Sequence, residues 1–355
     1  MIPIFKPYMP KQIFPELEEI LYSGNLAYGK YGQLFEAALA KYVDNSQIIT
    51  VSSYNQAMLM ALSILDLKHG DEIIASPVSC LASNQPFVIK GLRVIWADID
   101  PNTGSLCVED VRKKINTKTK AIFHNHFCGF LGNITAINQL AKEHGLWVVD
   151  DCIEAFGSEF EGKKAGNLGA DLSIFSFQTV RLPNTVDGAA ISFSSRELYE
   201  KAKLIRDYGI DRRNFRTTLG EINPECDITI EGYGATMSEI NSFIGCKQME
   251  DLSLLLQKQQ NNAHYWNDFF LESKSIRPLQ LSPNTRPNYW VYGVLCEDKS
   301  KALASFRDKN YYATSVHINN NIYSIFKCSE NLKGVNEFME KYLALPCGWW
   351  LSLEK

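Results

Sequence analysis

Short apolar runs alternate with helical patterns from about residue 50 to about residue 195. Several runs are almost continuous stretches of Ile, Val, Phe and Trp, which is typical of strands covered on both faces. They predict strands at Asp71–Ser76, Arg93–Ile99, Ala121–Phe127, Leu146–Asp151, Asp171–Phe177 and Gly188–Phe193. Between two of them, Ile134–His144 has the pattern of a helix that ends at Gly145. This alternation predicts an α/β fold with a mostly parallel sheet and helices on both faces.

The pattern changes after about residue 237, where a long helical stretch covers Met237–Phe270. A Pro-rich connection at 276–287 follows. The next segments predict a strand, a helix and a strand, at Tyr289–Cys296, Lys299–Lys309 and Ala313–Ile318. This order is typical of a small α+β unit. We therefore expect a large α/β domain at residues 1–245 and a smaller C-terminal α+β domain at residues 246–355.

The composition narrows the class of protein. Hydrophobic residues make up 45% of the 355 residues and charged residues 21%, as in an ordinary globular protein. The net charge of −4 argues against a nucleic-acid partner. The first residues show no secretory signal, and no run approaches the ~18 apolar residues of a membrane span. The nine cysteines form no Cys-x-x-Cys pair, which favours free thiols in a cytoplasmic protein over disulfides or a zinc site.

Three polar segments follow predicted strands, at the sheet edge where parallel α/β proteins bind ligands. The turn within Val51–Ala57 leads into a helical pattern, so its N–H groups suit a phosphate, although an ordinary helix cap explains it as well. Asp151 could hold a cationic ring nitrogen or cap a helix. Ser176 and Arg181 are natural phosphate ligands, although an Arg in that place is often a surface salt-bridge residue.

These segments belong to a longer series that resembles one family. The series is SSYNQA, GDEIIASP, WADIDPNTGSL, TKAIFHNHFCG, VVDDCIEAFGSEFEGKKAGNLGADLSIFSF, RDYGIDR and GYGATMSEINSFIG. Its order and spacing are similar to the DegT/StrS sugar aminotransferases, over essentially the whole chain. The resemblance implies a fold-type-I aminotransferase-like α/β fold with a seven-stranded sheet, in which Gly188–Phe193 runs antiparallel. It also implies pyridoxal phosphate as cofactor, a nucleotide-linked keto-sugar as substrate, and a homodimer with active sites at the subunit interface.

The resemblance assigns roles to individual residues. Asp151 matches the family's pyridinium partner, and Ser176 matches its phosphate-binding serine. The lysine that forms the imine with the cofactor corresponds to Arg181. An imine needs a neutral amine, whereas a guanidinium with a pKa above ~12 stays charged and delocalised. The resemblance therefore implies a catalytic position whose residue does not perform the family's covalent step.

Other positions depart from the family's pattern as well. Cys80 stands where an aromatic residue stacks on the cofactor ring, and Glu154 stands where a Gln or His is expected. Asn55, with the preceding Tyr54, replaces the Gly-Thr that opens the phosphate-binding helix. In the loop that reaches the neighbouring subunit, Gly234 and Thr236 replace an Asn and an Arg. Together these changes indicate a relaxed demand for the cofactor, which we expect to be bound without a covalent link or lost.

Two histidine features have alternative interpretations. His124 and His126 share one face of a predicted strand, but no carboxylate or Cys nearby in the sequence completes a metal site. His126 matches a family histidine, which favours a structural or a substrate-side role. His317 matches a family histidine near the sugar, or it is an ordinary edge-strand residue.

Three hypotheses about function remain open. The chain could be an enzyme that transfers an amino group to a nucleotide-linked keto-sugar with pyridoxal or pyridoxamine phosphate. It could be a cofactor-independent enzyme or a nucleotide-sugar-binding protein in which Arg181 recognises an anion. It could also be a pseudoenzyme that supplies half of a shared site to an active paralogue. By analogy, the setting is surface-polysaccharide or secondary-metabolite sugar biosynthesis.

Overall fold

The computed structural model describes residues 1–327 and 330–353, so one of the nine cysteines, Cys328, lies outside the described residues. The eight described cysteines are free thiols. The α-helices of the described chain are α1 (Phe14–Tyr22), α2 (Lys30–Val43), α3 (Tyr54–Ile64), α4 (Leu81–Ile89), α5 (Val108–Lys114), α6 (Ile134–His144), α7 (Arg196–Arg206), α8 (Glu239–Phe270), α9 (Lys299–Asp308) and α10 (Lys333–Lys341). Among these described helices, none is both long and apolar enough to cross a membrane.

The strands form one large sheet and two small ones. They are β1 (Ile48–Val51), β2 (Glu72–Ala75), β3 (Arg93–Trp96), β4 (Thr119–Asn125), β5 (Trp147–Asp151), β6 (Glu159–Phe160), β7 (Lys163–Lys164), β8 (Leu172–Ser176), β9 (Ala189–Phe193), β10 (Ile276–Pro278), β11 (Thr285–Arg286), β12 (Tyr292–Cys296) and β13 (Tyr342–Leu345). The large sheet has seven strands in the order β1-β9-β8-β5-β4-β2-β3.

Strand direction in the large sheet confirms the expected fold class. The pairs β8-β5, β5-β4, β4-β2 and β2-β3 are parallel. Strand β9 is antiparallel to both of its neighbours, β1 and β8, as expected of the segment Gly188–Phe193. The sequence does not predict β1, because its buried run is only four residues long. The predicted seven-stranded, mostly parallel sheet is thus confirmed.

Helices cover both faces of this sheet. Ile73 and Phe123 lie in a core cluster with side chains of α3 and α4, whereas Ile74 and Ile122 lie in a separate cluster with α5 and α6. Since successive residues of a strand point to opposite faces, these neighbours fill the two sides of the sheet.

Local signals in the sequence fix the helices that lie next to the site. The Ser53 hydroxyl accepts a hydrogen bond from the Gln56 N–H at 3.3 Å and caps α3. Asn133 caps α6 by accepting from the Ala136 N–H at 3.2 Å. Gly145 ends α6 with a φ of 63°, the left-handed conformation that favours glycine. The predicted helix Ile134–His144 is confirmed at both ends.

The C-terminal part differs from the sequence-based expectation in one strand. The predicted strand at Ala313–Ile318 is wrong, because in the described chain this segment makes one isolated bridge, between Thr314 and Ala344. Val316 has a φ of 61°, which interrupts an extended backbone. The small sheet has the order β10-β12-β13 instead, and β13 follows α10 directly. The predicted domain boundary after residue 245 falls inside the 32-residue helix α8, and the division stays a prediction.

Candidate functional site

Asp151, the last residue of β5, ends a chain of hydrogen bonds through the core. The Ser83 hydroxyl donates to Asp151 Oδ2 at 2.7 Å, and the Tyr54 hydroxyl donates to Ser83 Oγ at 2.9 Å. All three side chains are buried. The carboxyl group expected to face a pyridinium is therefore already held by two hydroxyls in series.

The protonation of Asp151 follows from these surroundings. Burial raises the pKa of Asp151 to about 7, and the nearby Glu154 charge adds to the rise. The Ser83 hydroxyl, the Ile153 N–H and the Arg181 charge act in the lowering direction and only partly offset burial. At neutral pH this carboxyl group is only partly ionised. A further cation beside Asp151 would act in the same lowering direction as Arg181.

Asp150, its neighbour in β5, is bonded to a different set of side chains. His124 Nδ1 lies 2.9 Å from Asp150 Oδ1, His126 Nε2 lies 3.2 Å from Oδ2, and the Cys152 thiol donates to Oδ2 at 3.2 Å. Burial alone would raise the pKa of Asp150, but the two imidazoles outweigh it and hold that pKa well below its usual range. The expectation that no carboxylate meets the histidine pair is wrong, because β4 and β5 align His124 with Asp150.

Hydrogen bonds decide what the histidine cluster can do. His124, His126 and Asp150 place possible metal ligands within 4.8 Å of one another. The Gly132 N–H, however, donates to His126 Nδ1 at 3.2 Å, which assigns the ring proton to Nε2. Nε2 then donates to Asp150 and has no lone pair for a metal. Because His126 is buried in this network, the geometry supports its structural role over a substrate-side one.

Glu154 is the centre of a second buried network. His317 Nε2 lies 2.7 Å from Glu154 Oε1, and Arg181 Nη1 donates to the same oxygen at 3.4 Å. The Cys128 N–H donates to Oε2 at 2.6 Å. Burial would raise the pKa of Glu154, but His317, Arg181 and the Cys128 N–H outweigh it and keep that pKa below its ordinary value. The structure thus brings Arg181 and His317 together on the charged carboxylate of Glu154, and the sequence singles out all three residues.

Arg181 is packed as well as paired. Its guanidinium carbon lies 4.2 Å from the centre of the Trp290 ring, and Phe5 also stacks on that tryptophan, with ring centres 4.4 Å apart. Arg181 is 7% exposed, so it is no surface salt-bridge residue. A planar guanidinium suits this stacked arrangement, which a lysine ammonium would not reproduce.

The remaining predicted site residues lie around this network. Ser176 ends β8, is buried, and accepts a hydrogen bond from the Gln178 N–H at 3.4 Å. Asn55 lies exposed in the first turn of α3. Cys80 is half-buried at the start of α4, and burial together with the Glu154 charge raises the pKa of its thiol.

The backbone has a left-handed φ at, or directly before, three residues that contact Glu154 or Arg181. Cys128, which donates to Glu154, has a φ of 56°. Tyr289, directly before Trp290, has a φ of 53°, and Val316, directly before His317, has a φ of 61°. Non-glycine residues rarely adopt this conformation, and such strain concentrates at functional sites. The network is therefore held together against local backbone preference.

The sequence does not single out Ser83 or Trp290 for the site. Ser83 reaches Asp151 across 68 residues, and the indole N–H of Trp290 donates to the Val180 carbonyl across 110. No local motif marks such contacts. The signal in the sequence is the pair of departures from the family's pattern. Arg181 stands at the lysine position and Glu154 at a Gln or His position, and the two side chains carry opposite charges.

The fold and the site define a class of protein. A seven-stranded sheet with one antiparallel strand, and with Asp151 and Ser176 at strand ends, is the framework of a fold-type-I aminotransferase. The chain belongs to the DegT/DnrJ/EryC1/StrS aminotransferase family, whose model matches residues 7–355.

Individual relatives agree with this assignment. The chain is 27% identical to the UDP-4-amino-4,6-dideoxy-N-acetyl-beta-L-altrosamine transaminase of Helicobacter pylori, over 98% of this chain and 93% of that protein. The crystal structure of AtS13 from Actinomadura melliaura superposes with a TM-score of 0.92 at 28% identity, covering 99% and 95% of the two chains. The E. coli GDP-4-keto-6-deoxy-D-mannose-3-dehydratase, solved with bound hydrated pyridoxal phosphate, shares the fold with a TM-score of 0.87 at 21% identity, covering 98% and 95%.

Proposed function

We propose that this chain recognises a nucleotide-linked sugar on an aminotransferase scaffold and forms no imine with a cofactor through its own side chain. The observation that carries this proposal is the state of Arg181, at the position that the resemblance gives to the lysine. Its guanidinium is buried, paired with Glu154 and stacked on Trp290. A guanidinium held in this way offers no neutral amine for attack on an aldehyde.

The residues present fit one part of the family's cofactor, pyridoxal phosphate, and do not fit another. Asp151 is held by the Ser83 hydroxyl, and Cys80 offers no ring to stack on a pyridine. Ser176 and the first turn of α3 remain compatible with a phosphate group. The side of the site that would hold the reacting aldehyde does not fit a covalently bound cofactor.

Ligand recognition can use the groups that stay near the surface. The His317 side chain is 15% exposed while its Nε2 is fixed by Glu154, so the ring has a set orientation and an accessible edge. Arg181 pairs with the same oxygen of Glu154. Because the Helicobacter relative carries a UDP-linked sugar in its name, a nucleotide-linked sugar is the ligand class that this comparison supports.

We also propose that the chain works in the cytoplasm as a homodimer with its sites at the subunit interface. Large apolar side chains are exposed on α1, with Phe14 72% and Tyr22 84% exposed. Such surface residues are typical of an interaction surface when they lie together. An active paralogue would bind through the same surface if the chain is a pseudoenzyme subunit. Purification from its own cells, with identification of the copurified chain, separates the two cases.

The first experiment tests for the imine. Wild-type protein and the variants Arg181→Lys and Arg181→Gln are incubated with pyridoxal phosphate, reduced with borohydride and mapped by peptide mass spectrometry. We expect no phosphopyridoxyl group at residue 181 in the wild type or in the Gln control. Amino transfer to a UDP-linked keto-sugar by wild-type protein with this cofactor would contradict the proposal. A label at residue 181 in Arg181→Lys alone would show that the pocket still admits the cofactor.

The second experiment measures the ligand. Titration with UDP-N-acetylglucosamine is expected to show binding to the wild type and a loss of at least tenfold in affinity in Arg181→Ala. Arg213→Ala is the matched control, since Arg213 is 84% exposed and pairs with Asp211 on the surface. Equal affinities for wild type and Arg181→Ala would remove Arg181 from the recognition site.

A further inference from the structure

The two ring nitrogens of His317 have different surroundings. Nε2 lies 2.7 Å from Glu154 Oε1, whereas Nδ1 makes no hydrogen bond within the described chain and is open to solvent. Glu154 is ionised, since its pKa is held below the ordinary value, and an ionised carboxylate only accepts hydrogen bonds. A neutral imidazole therefore donates Nε2–H to Glu154 and carries its lone pair on Nδ1.

Packing fixes the plane of this imidazole. The Trp290 ring stacks on it with ring centres 6.4 Å apart and an interplanar angle of 21°, and the Phe127 ring meets it edge-on at 6.2 Å. Glu154 comes three residues after the end of β5, so the pair lies at the carboxyl edge of the large sheet. Parallel α/β proteins bind their ligands at that edge.

The other titratable side chains that the described chain brings to this site have no comparable lone pair. The Arg181 guanidinium has donors and no acceptor. Burial raises the pKa of the Cys80 thiol, so the thiol stays protonated at neutral pH. Asp151 is buried, and Glu154 is buried and already accepts from three groups. His317 Nδ1 is thus the base that can reach a bound ligand.

We propose that Glu154 and His317 form a carboxylate–imidazole pair that removes a proton from the carbon next to the carbonyl group of a nucleotide-linked keto-sugar. His317 is the catalytic base, and Glu154 is the positioning residue. A carbonyl group is needed because it makes the neighbouring C–H bond acidic enough for an imidazole.

The proton transfer balances within the ligand and the pair. The C–H bond breaks, its proton goes to His317 Nδ1, and its electron pair forms the carbon–carbon double bond of an enolate while the carbonyl oxygen takes the negative charge. Glu154 stabilises the imidazolium that results. Return of a proton to the same face of the carbon regenerates the ketone, and return to the opposite face gives its epimer. The step needs no electron acceptor and no second substrate.

This inference rests on the proposed function, because the carbonyl compound is a keto form of the nucleotide-linked sugar named there. It adds a reaction to recognition. UDP-N-acetylglucosamine has no keto group on its ring, so its titration tests recognition alone. Binding of that ligand without proton exchange on a keto-sugar would refute the base and leave the proposed function standing. No binding of either ligand would refute the proposed function itself.

The test is exchange of carbon-bound protons in D₂O. Wild-type protein is incubated with UDP-linked 4-keto-6-deoxy-N-acetylglucosamine, and ¹H NMR follows the protons on the two carbons next to the keto group. We expect exchange above the protein-free rate, and a rate about a hundredfold lower in His317→Gly. Added imidazole should restore exchange in His317→Gly beyond its effect in protein-free solution, which a merely structural role would not produce. His264→Gln, at an exposed histidine of α8, is the matched control and should stay within twofold of the wild type.

Glu154→Gln tests the positioning residue. It should lower kcat for exchange at least tenfold and leave KM within threefold, since the amide keeps the shape of the side chain and loses the charge that stabilises the imidazolium. If His317→Gly does not fold, His317→Gln, which keeps an N–H donor for Glu154, should show the same loss of exchange. Exchange at the wild-type rate in the folded His317 variant, or in Glu154→Gln, would overturn the pair.

Discussion

Asp150 and Asp151 are adjacent in β5, and both carboxyl groups are fully buried, yet their partners differ in kind. Asp150 meets two imidazoles and a thiol, whereas Asp151 meets one hydroxyl and a distant backbone N–H. The first set holds the pKa of Asp150 far below its usual range, and burial raises the pKa of Asp151 to about 7. Desolvation acts on both, so the number and strength of the donors decide which carboxyl group stays ionised.

The largest expected effect comes from Asp150→Asn. An amide cannot accept from three donors, and one of its atoms would present N–H groups to an imidazole N–H. Removing one member of a buried ionic network costs about 3–5 kcal/mol, so we expect a loss of that order in the free energy of unfolding. Urea denaturation at neutral pH measures the loss. A cost below about 1 kcal/mol would mean that the histidine cluster does not depend on the carboxylate.

Asp151→Asn should instead raise the free energy of unfolding relative to the wild type at high pH. The folded pKa of Asp151, about 7, lies above the unfolded value of ~3.9, so the folded state takes up this proton first as the pH falls. The ionised group therefore lowers the stability of the wild type as the pH rises from about 4 to about 7, by up to ~1.4 kcal/mol per unit. The variant lacks this dependence, and its stability relative to the wild type should rise over that window and level off above pH 7. Parallel pH profiles of the two proteins would contradict the assignment.

Ser83→Ala tests the single hydroxyl that offsets burial at Asp151. Since the Ser83 hydroxyl lowers the pKa of Asp151, its removal should raise that pKa further. Losing a hydrogen bond to a partly charged group costs about 1–2 kcal/mol. Carboxyl ¹³C NMR titration reads the pKa, and denaturation reads the stability. Ser79→Ala, a buried serine of the same region, is the control and should leave the titration unchanged.

Tyr54→Phe should have the smallest effect of the series. The Tyr54 hydroxyl donates to Ser83 and not to Asp151 directly, so its loss removes one neutral hydrogen bond. We expect about 0.5–1.5 kcal/mol in the free energy of unfolding. The Asp151 titration should move less than in Ser83→Ala. A larger shift in Tyr54→Phe would place Tyr54, and not Ser83, next to the carboxyl group.

The sequence predicts the large sheet well because its strands carry their own signal. All residues of Trp147–Asp151 and Leu172–Ser176 are buried except Trp147, so their apolar residues mark these strands within a residue or two of their ends. The C-terminal part is different. The segment at 313–318 has strand-like residues but turns at Val316, and Tyr342–Leu345 directly follows a helix, so no local pattern separates the two.

The candidate site follows the same division. Asp151, Ser176 and Arg181 are singled out by local motifs, because the first two each end a strand and Arg181 follows Ser176 by five residues. Their partners are not, since Ser83 comes from α4 and Trp290 from the segment before β12. His124 and Asp150 meet through the register of β4 and β5, which adjacent sequence does not contain. What the site can do depends on these long-range pairings, so the sequence alone left three functions open.

The hydrogen-bond chain from Tyr54 to Asp151 has a consequence for the amount of protein in a cell. A protein stabilised by a bound small molecule becomes less abundant when that molecule is scarce, since binding shifts the folding equilibrium by mass action. Here the Ser83 hydroxyl of the chain itself donates to the buried carboxyl group, and the Tyr54 hydroxyl donates in turn to Ser83. Starvation for vitamin B6 should therefore leave the level of this protein unchanged, while relatives that depend on the vitamin-derived cofactor for stability decline.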